Sequence, residues 1–177
     1  MAIKFNFILV LLMLQSNMIF DFNANANLKG WQIVNDGVMG GISTSTLALT
    51  PEGYGLFEGH VSTENYGGFA SVMLATSTQI ENPKGSIRVK VKGDGKKYQL
   101  RLKSSRRQYQ SYITSFKTNG QWQTLTFPLD GFEASFRGRQ LDMPNFNFEK
   151  IEEIRFLIAN KKDEDFKLLI DYICIEP

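Results

Sequence analysis

The sequence predicts an all-β fold, one sandwich of short strands around a single core. Three observations carry that expectation. Short apolar segments recur at close spacing between glycine, asparagine and proline, a rhythm that belongs to sandwiches and barrels. Apolar and charged residues alternate through 87–103, the period-two mark of half-buried strands. Helical periodicity is scarce, with Glu149 to Ile154 the one candidate turn. The 14 phenylalanines suit two apolar faces stacked across such a core.

The N-terminus stands apart. Lys4 precedes an apolar run from Phe5 to Leu14, and Gln15, Ser16 and Asn17 follow. A basic start, a short apolar stretch and a polar end have the shape of a secretory signal. The run is shorter than the roughly 20 residues a membrane span needs. Residues 1–19 are therefore read as a signal peptide or N-terminal extension, against the alternative of a first buried strand or helix. Residues 20–177 are read as the domain. A signal peptide places the protein in the periplasm or outside the cell; without one it is cytoplasmic.

Strands are expected in order along the domain. In 55–61, Leu56, Glu58 and His60 alternate with Phe57, Gly59 and Val61. A small apolar strand follows over 69–75. Ile87, Val89 and Val91 then share one strand face, and Tyr98, Leu100 and Leu102 share the next. Gly93-Asp94-Gly95 lies between them, so the pair is expected to form a hairpin. Further strands are expected over 112–116, 122–127, 151–159 and 166–175. The last two are nearly continuous apolar runs and are expected at the centre of their sheets. Pro83, Pro128 and Pro144 fall between strands, where a missing N–H is tolerated.

Composition narrows the chemistry. The net charge of +2 names no partner. Ten of the 20 basic residues fall between Lys84 and Arg107, and in a hairpin Arg88, Lys90, Lys92, Arg101 and Lys103 would share one surface. A solvated outer face explains that stripe better than a polyanion site, because no aromatic residue alternates with the charges. Nucleic acid is not an expected partner. The lone Cys174 allows no internal disulfide and reads as a small buried hydrophobe. His60 is the single histidine, so no histidine-based catalytic or metal constellation is expected. Neither Gly93-Asp94-Gly95 nor Asp163-Glu164-Asp165 has the six to eight oxygens that calcium takes. No metal and no cofactor is expected. Trp31 and Trp122 open strand-like stretches and are expected to be buried rather than sugar platforms.

Three glycine-bearing segments interrupt the strands. The first holds Asn35, Asp36, Gly37, Val38, Met39, Gly40, Gly41 and Ser43. The second holds Glu64, Asn65, Tyr66, Gly67, Gly68, Phe69, Ala70 and Ser71. The third runs from Phe132 to Arg139 and ends in Phe136-Arg137-Gly138-Arg139. Paired glycines permit close approach or backbone that side chains forbid, and Asn or Asp beside them can fix a loop.

Those three motifs in that order, with Ile158-Ala159-Asn160-Lys161 and Phe166 after them, resemble the complex I intermediate-associated protein 30 family from about Phe20 onward. The resemblance implies a galactose-binding-like jelly roll and an accessory or assembly role. With its secretory-looking start, the chain resembles a bacterial, envelope-facing member. It departs from the family pattern at Tyr66, where a second asparagine is expected, and at Met73, where an arginine often stands.

The binding candidates are Asp36, Met39, Gly40, Gly41, Ser43, Glu64, Asn65, Gly67, Gly68, Phe69, Arg137 and Arg139. Either Asp36, Ser43, Glu64 and Asn65 meet a ligand where the glycine loops join, or they serve loop architecture, which is the preferred reading. Arg137 and Arg139 either fork onto a carboxylate or phosphate, or form internal ion pairs with Asp36 or Glu64. No catalytic residue is assigned. The expected function is a non-catalytic binding module with an accessory or assembly role towards a protein client. A carbohydrate-binding module of the cell envelope is the alternative. A carboxylate-based glycan hydrolase or lyase is third, and would need Asp36, Glu58 or Glu64 to converge.

Overall fold

The computed structural model describes residues 17–177. The signal-peptide reading of residues 1–19 falls almost wholly outside them. Among the described residues thirteen strands form two antiparallel sheets packed face to face, a jelly-roll-like sandwich as expected.

The six-stranded sheet is built around β13 (Glu164–Glu176). One edge of β13 pairs with β6 (Ser86–Gly93), which pairs in turn with β9 (Gln123–Pro128). The other edge pairs over 164–170 with β4 (Gly55–Val61) and over 172–175 with β1 (Asn17–Asp21). Strand β3 (Thr44–Leu49) pairs outside β4. The second sheet is centred on β7 (Lys97–Lys103) and β12 (Lys150–Ile158). Strands β5 (Ala70–Gln79) and β2 (Trp31–Ile33) lie beyond β12, and β8 (Ser111–Lys117), β10 (Glu133–Phe136) and β11 (Arg139–Gln140) lie beyond β7.

The core sits between the sheets. Val89, Val91, Leu168 and Ile170 face Leu100, Leu102, Phe156 and Ile158, all fully buried. Phe20, Phe22 and Trp31 close one end with ring centroids 4.7–5.3 Å apart. Cys174 is buried, as expected, and burial raises its thiol pKa.

The expected hairpin is overturned. Strand β6 pairs with β13 and β9, whereas β7 pairs with β12 and β8. The two strands face one core from opposite sheets, and alternation cannot distinguish that arrangement from a hairpin. Gly93-Asp94-Gly95 is the corner between sheets. Asp94 Oδ2 accepts the Lys167 amide at 2.9 Å, and Oδ1 accepts the buried Tyr98 hydroxyl at 2.9 Å.

The single basic surface is overturned with the hairpin. Arg88 and Lys90 lie outside the six-stranded sheet, paired with Glu176 at 2.7 Å and Asp171 at 2.6 Å. Arg101 and Lys103 lie on the other sheet. The candidate helical turn at Glu149–Ile154 is instead the start of β12, where Ile151 and Ile154 are needed in the core. Burial of Trp31 meets expectation; Trp122 is half-buried against Tyr54, ring centroids 4.6 Å apart.

Candidate binding groove on the seven-stranded sheet

The first two glycine segments meet at a buried carboxylate. Asp36 begins a short 3-10 turn, Asp36–Met39, and is fully buried. Its Oδ1 accepts the Ser43 amide at 3.0 Å. Its Oδ2 accepts the Ser43 hydroxyl at 2.5 Å, the Gly68 amide at 2.7 Å and the Phe69 amide at 3.1 Å. Burial alone would raise the Asp36 pKa, but these donors outweigh it and hold the group below its ordinary value. Asn35 strengthens the junction, its Oδ1 accepting the Ser71 amide at 3.1 Å and the Ser45 hydroxyl at 2.8 Å.

Two glycines are demanded by the close packing around this carboxylate, Gly67 also by the Ser62 and Glu64 carbonyls. A Cβ at Gly41 would lie 2.4 Å from Asp36 Cγ, and one at Gly67 would lie 2.9 Å from Asp36 Oδ2. Gly40 and Gly68 instead have φ of 92° and 128°, which side chains rarely adopt. Asn65 and Tyr66 are also left-handed, at φ 53° and 63°. Two such residues in succession store strain of roughly 1–3 kcal/mol each.

The joined loops form one wall of a groove of about 530 Å³ on the outer face of the seven-stranded sheet. Met39, Gly67, Gly68 and Phe69 line that wall. Tyr66 stands on its rim, 91% exposed. The opposite wall is the β10–β11 hairpin, where Phe136, Arg137 and Gly138 line the groove. The third glycine segment was expected as a loop, but only its Arg137-Gly138 turn is one. Arg137 lies over the Phe136 ring at 5.2 Å, and Tyr109 meets that ring edge-on at 5.2 Å. Among the described residues neither Arg137 nor Arg139 forms an ion pair, so of the two alternatives the internal pairs with Asp36 or Glu64 are not made.

The floor is built from β12 and β7. Arg155 lies directly opposite Arg101 on one side and Met73 on the other. Its guanidinium donates to Glu153 Oε1 at 3.1 Å from Nε and approaches it at 2.9 Å from Nη2. Nη2 also reaches Met73 Sδ at 3.6 Å, so the methionine lies in register beside this arginine. Arg101 has no carboxylate within ion-pair distance among the described residues. It donates to the neutral Gln99 Oε1 at 3.0 and 2.6 Å. Burial first, then the facing Arg155 charge, push the Arg101 guanidinium down to about 10, against the pull of Glu153. It remains cationic at neutral pH.

The sequence-predicted residues thus separate into two layers. Met39, Gly67, Gly68, Phe69 and Arg137 line the groove. Asp36, Gly41 and Ser43 lie behind its wall, and Asp36 is fully buried with both oxygens already accepting hydrogen bonds. Glu64 and Asn65 shape the turn that presents Tyr66. Sequence reasoning missed Arg101, Arg155, Tyr109 and Leu157. Arg101 looked like any outward arginine of an alternating strand, and Leu157 was one residue in an apolar run.

The model of the family described as complex I intermediate-associated protein 30 (CIA30) matches residues 20–170. The chain belongs to that family. It is 27% identical over 187 aligned positions to the mitochondrial complex I intermediate-associated protein 30 of Drosophila melanogaster, covering 92% of this chain and 63% of that one. The mitochondrial protein of the same description from Mus musculus is 24% identical, covering 92% and 56%. The chain therefore spans between half and two thirds of the length of these CIA30 relatives. Among solved structures, the family 11 carbohydrate-binding module of Clostridium thermocellum, in complex with a β-1,3-1,4-mixed-linked tetrasaccharide, has a TM-score of 0.67 at 17% identity, covering 90% of this chain and 94% of the module. A family 29 carbohydrate-binding module has a TM-score of 0.58 at 15% identity, covering 92% and 91%. These likenesses establish the jelly-roll fold of this CIA30 domain. Among the described residues no helix is long and apolar enough to cross a membrane.

Proposed function

We propose that this CIA30 domain is a non-catalytic binding module that acts as an accessory or assembly factor by docking a protein client in the groove. The observation that carries this reading is the convergence of all three glycine segments on one groove whose rim exposes Tyr66, Tyr109, Phe136 and Met39. Exposed aromatic and methionine side chains beside arginine are the composition that protein interfaces favour. The relatives' description as mitochondrial proteins associated with a complex I intermediate points the same way. Asp36, the buried candidate for carboxylate catalysis, is saturated by amides and a hydroxyl, which disfavours the hydrolase or lyase reading.

Carbohydrate binding is the second reading, favoured by the same exposed rings, which could stack on sugars. One experiment separates the two. Tagged full-length protein and a folded Tyr66→Ala variant are used to capture crosslinked partners from the native host, and both are run through gels containing mixed-linked β-glucan. A protein recovered in proportion by wild type and lost with Tyr66→Ala supports the accessory role. Retardation by glucan with no protein captured replaces it with carbohydrate binding. The reading of residues 1–19 as an export signal, with an envelope or secreted location, is tested by N-terminal sequencing of the protein from its host.

A further inference from the structure

The groove floor carries an electrostatic imbalance that the fold does not explain. Arg101 and Arg155 lie directly opposite each other on neighbouring strands, and like charges so placed destabilise a sheet. Among the described residues Glu153, 5% exposed, forms its one ion pair with Arg155. Arg137 adds a third guanidinium at the wall. Guanidinium offers donors and no acceptor. The remaining polar side chains of the groove are serine and tyrosine hydroxyls, and Ser135 already donates to the Arg139 carbonyl at 3.0 Å. A neutral sugar presents donors and acceptors alike and would leave this donor-rich floor poorly matched. A carboxylate accepts from a guanidinium fork and cancels the uncompensated charge.

We infer that the groove is a carboxylate-recognition site, in which Arg101 and Arg155 receive an Asp or Glu side chain of an acidic client segment while Tyr66, Tyr109 and Phe136 hold its apolar neighbours. This rests on the proposed docking of a protein client and names the chemistry of that client. A peptide source is favoured over an acidic glycan because Met39, Phe69, Leu157 and Ala159 make much of the lining apolar, which suits alternating acidic and apolar side chains. Arg101 is the residue to probe, because it holds no carboxylate of its own and its loss strands no buried acid.

The test is an NMR titration of the full chain, reading the arginine Nε–H signals. The probes are acetyl-Phe-Glu-Leu-Glu-amide, its Gln counterpart and a glucuronate-containing tetrasaccharide. The Glu peptide is expected to shift the Arg101 and Arg155 signals saturably and to bind at least about tenfold tighter than the Gln peptide. R101Q is expected to weaken the Glu peptide by about tenfold while unfolding at the same temperature or higher. Equal binding of Glu and Gln peptides, unaltered affinity in R101Q, or tighter binding of the glucuronate probe at the same signals overturns the inference. Client capture distinguishes the two levels. A client retained equally by wild type and folded R101Q sinks the carboxylate site and leaves the accessory role standing. Saturable Glu-peptide binding that R101Q loses, without any captured client, upholds the site and sinks the accessory role.

Discussion

Asp36 Oδ2 accepts the backbone amide of Gly68, 32 residues further along the chain, at 2.7 Å. That bond and the one from the Phe69 amide fasten the first glycine segment to the second, while the two from Ser43 close the first segment on its own carboxylate. Asp36→Ala leaves four donors without their acceptor and is expected to cost about 3 kcal/mol. Asp36→Asn keeps one oxygen but turns a donor towards a donor, and is expected to cost about 2 kcal/mol. Urea unfolding of both variants, beside amide exchange at Gly68 and Phe69, measures the cost and locates it.

The same latch has a pH signature. The Asp36 pKa in the fold lies below its ordinary value of 3.8, because the four donors outweigh the effect of burial. A depressed carboxylate contributes stability that is complete above the unfolded value and is lost as pH falls through the folded one. The stability gap between wild type and Asp36→Asn should therefore be constant from neutral pH to about 4 and narrow below 3.8. Parallel melts from pH 6 to pH 2.5 check this; a gap that widens on acidification contradicts it.

Glycines that look alike in sequence should respond differently to alanine. A methyl at Gly41 meets Asp36 Cγ at 2.4 Å, so Gly41→Ala is expected to cost about 3 kcal/mol. At Gly131 nothing lies within 4 Å and φ is ordinary, so alanine there is expected to be neutral or to stabilise by up to about 1 kcal/mol through the unfolded chain. Denaturation midpoints of the pair test the contrast.

The two floor arginines should also separate. Arg155→Gln strands the buried Glu153 carboxylate and is expected to cost about 3 kcal/mol. Adding Glu153→Gln should recover most of that loss, because the uncompensated charge is then gone. Thermal unfolding of the single and double variants closes the cycle; a double variant as unstable as Arg155→Gln would show that Arg155 acts through packing instead.

These residues also show where sequence information ran out. Alternation located β6 and β7 and assigned their buried faces, since Val89 and Leu100 must enter a core whichever sheet holds them. It could not reveal partners, because two facing sheets and one hairpin impose the same pattern. The glycine pairs marked one wall of the groove and the single Gly138 the turn of the other, since few other backbones permit such approach. The floor was illegible because Arg88 and Arg101 read identically as outward arginines of alternating strands. One is neutralised by Glu176 and the other lies over a groove, and only the strand order decides which.

Tyr66 offers a last separation, between stability and binding. It holds φ at 63° while the residue is 91% exposed, so the fold gains almost no burial from a conformation that costs a side chain roughly 1–2 kcal/mol. Glycine takes that backbone freely but has a more flexible unfolded chain, which offsets part of the gain. Tyr66→Gly is thus expected to raise stability by about 0.5–1 kcal/mol. A ring kept at the groove rim against that cost is consistent with contact to a client, so the same variant should weaken client capture about tenfold. Unfolding and capture measured on one preparation decide the matter. A variant more stable than wild type and unimpaired in capture would remove Tyr66 from the docking surface and leave its strain to loop geometry alone.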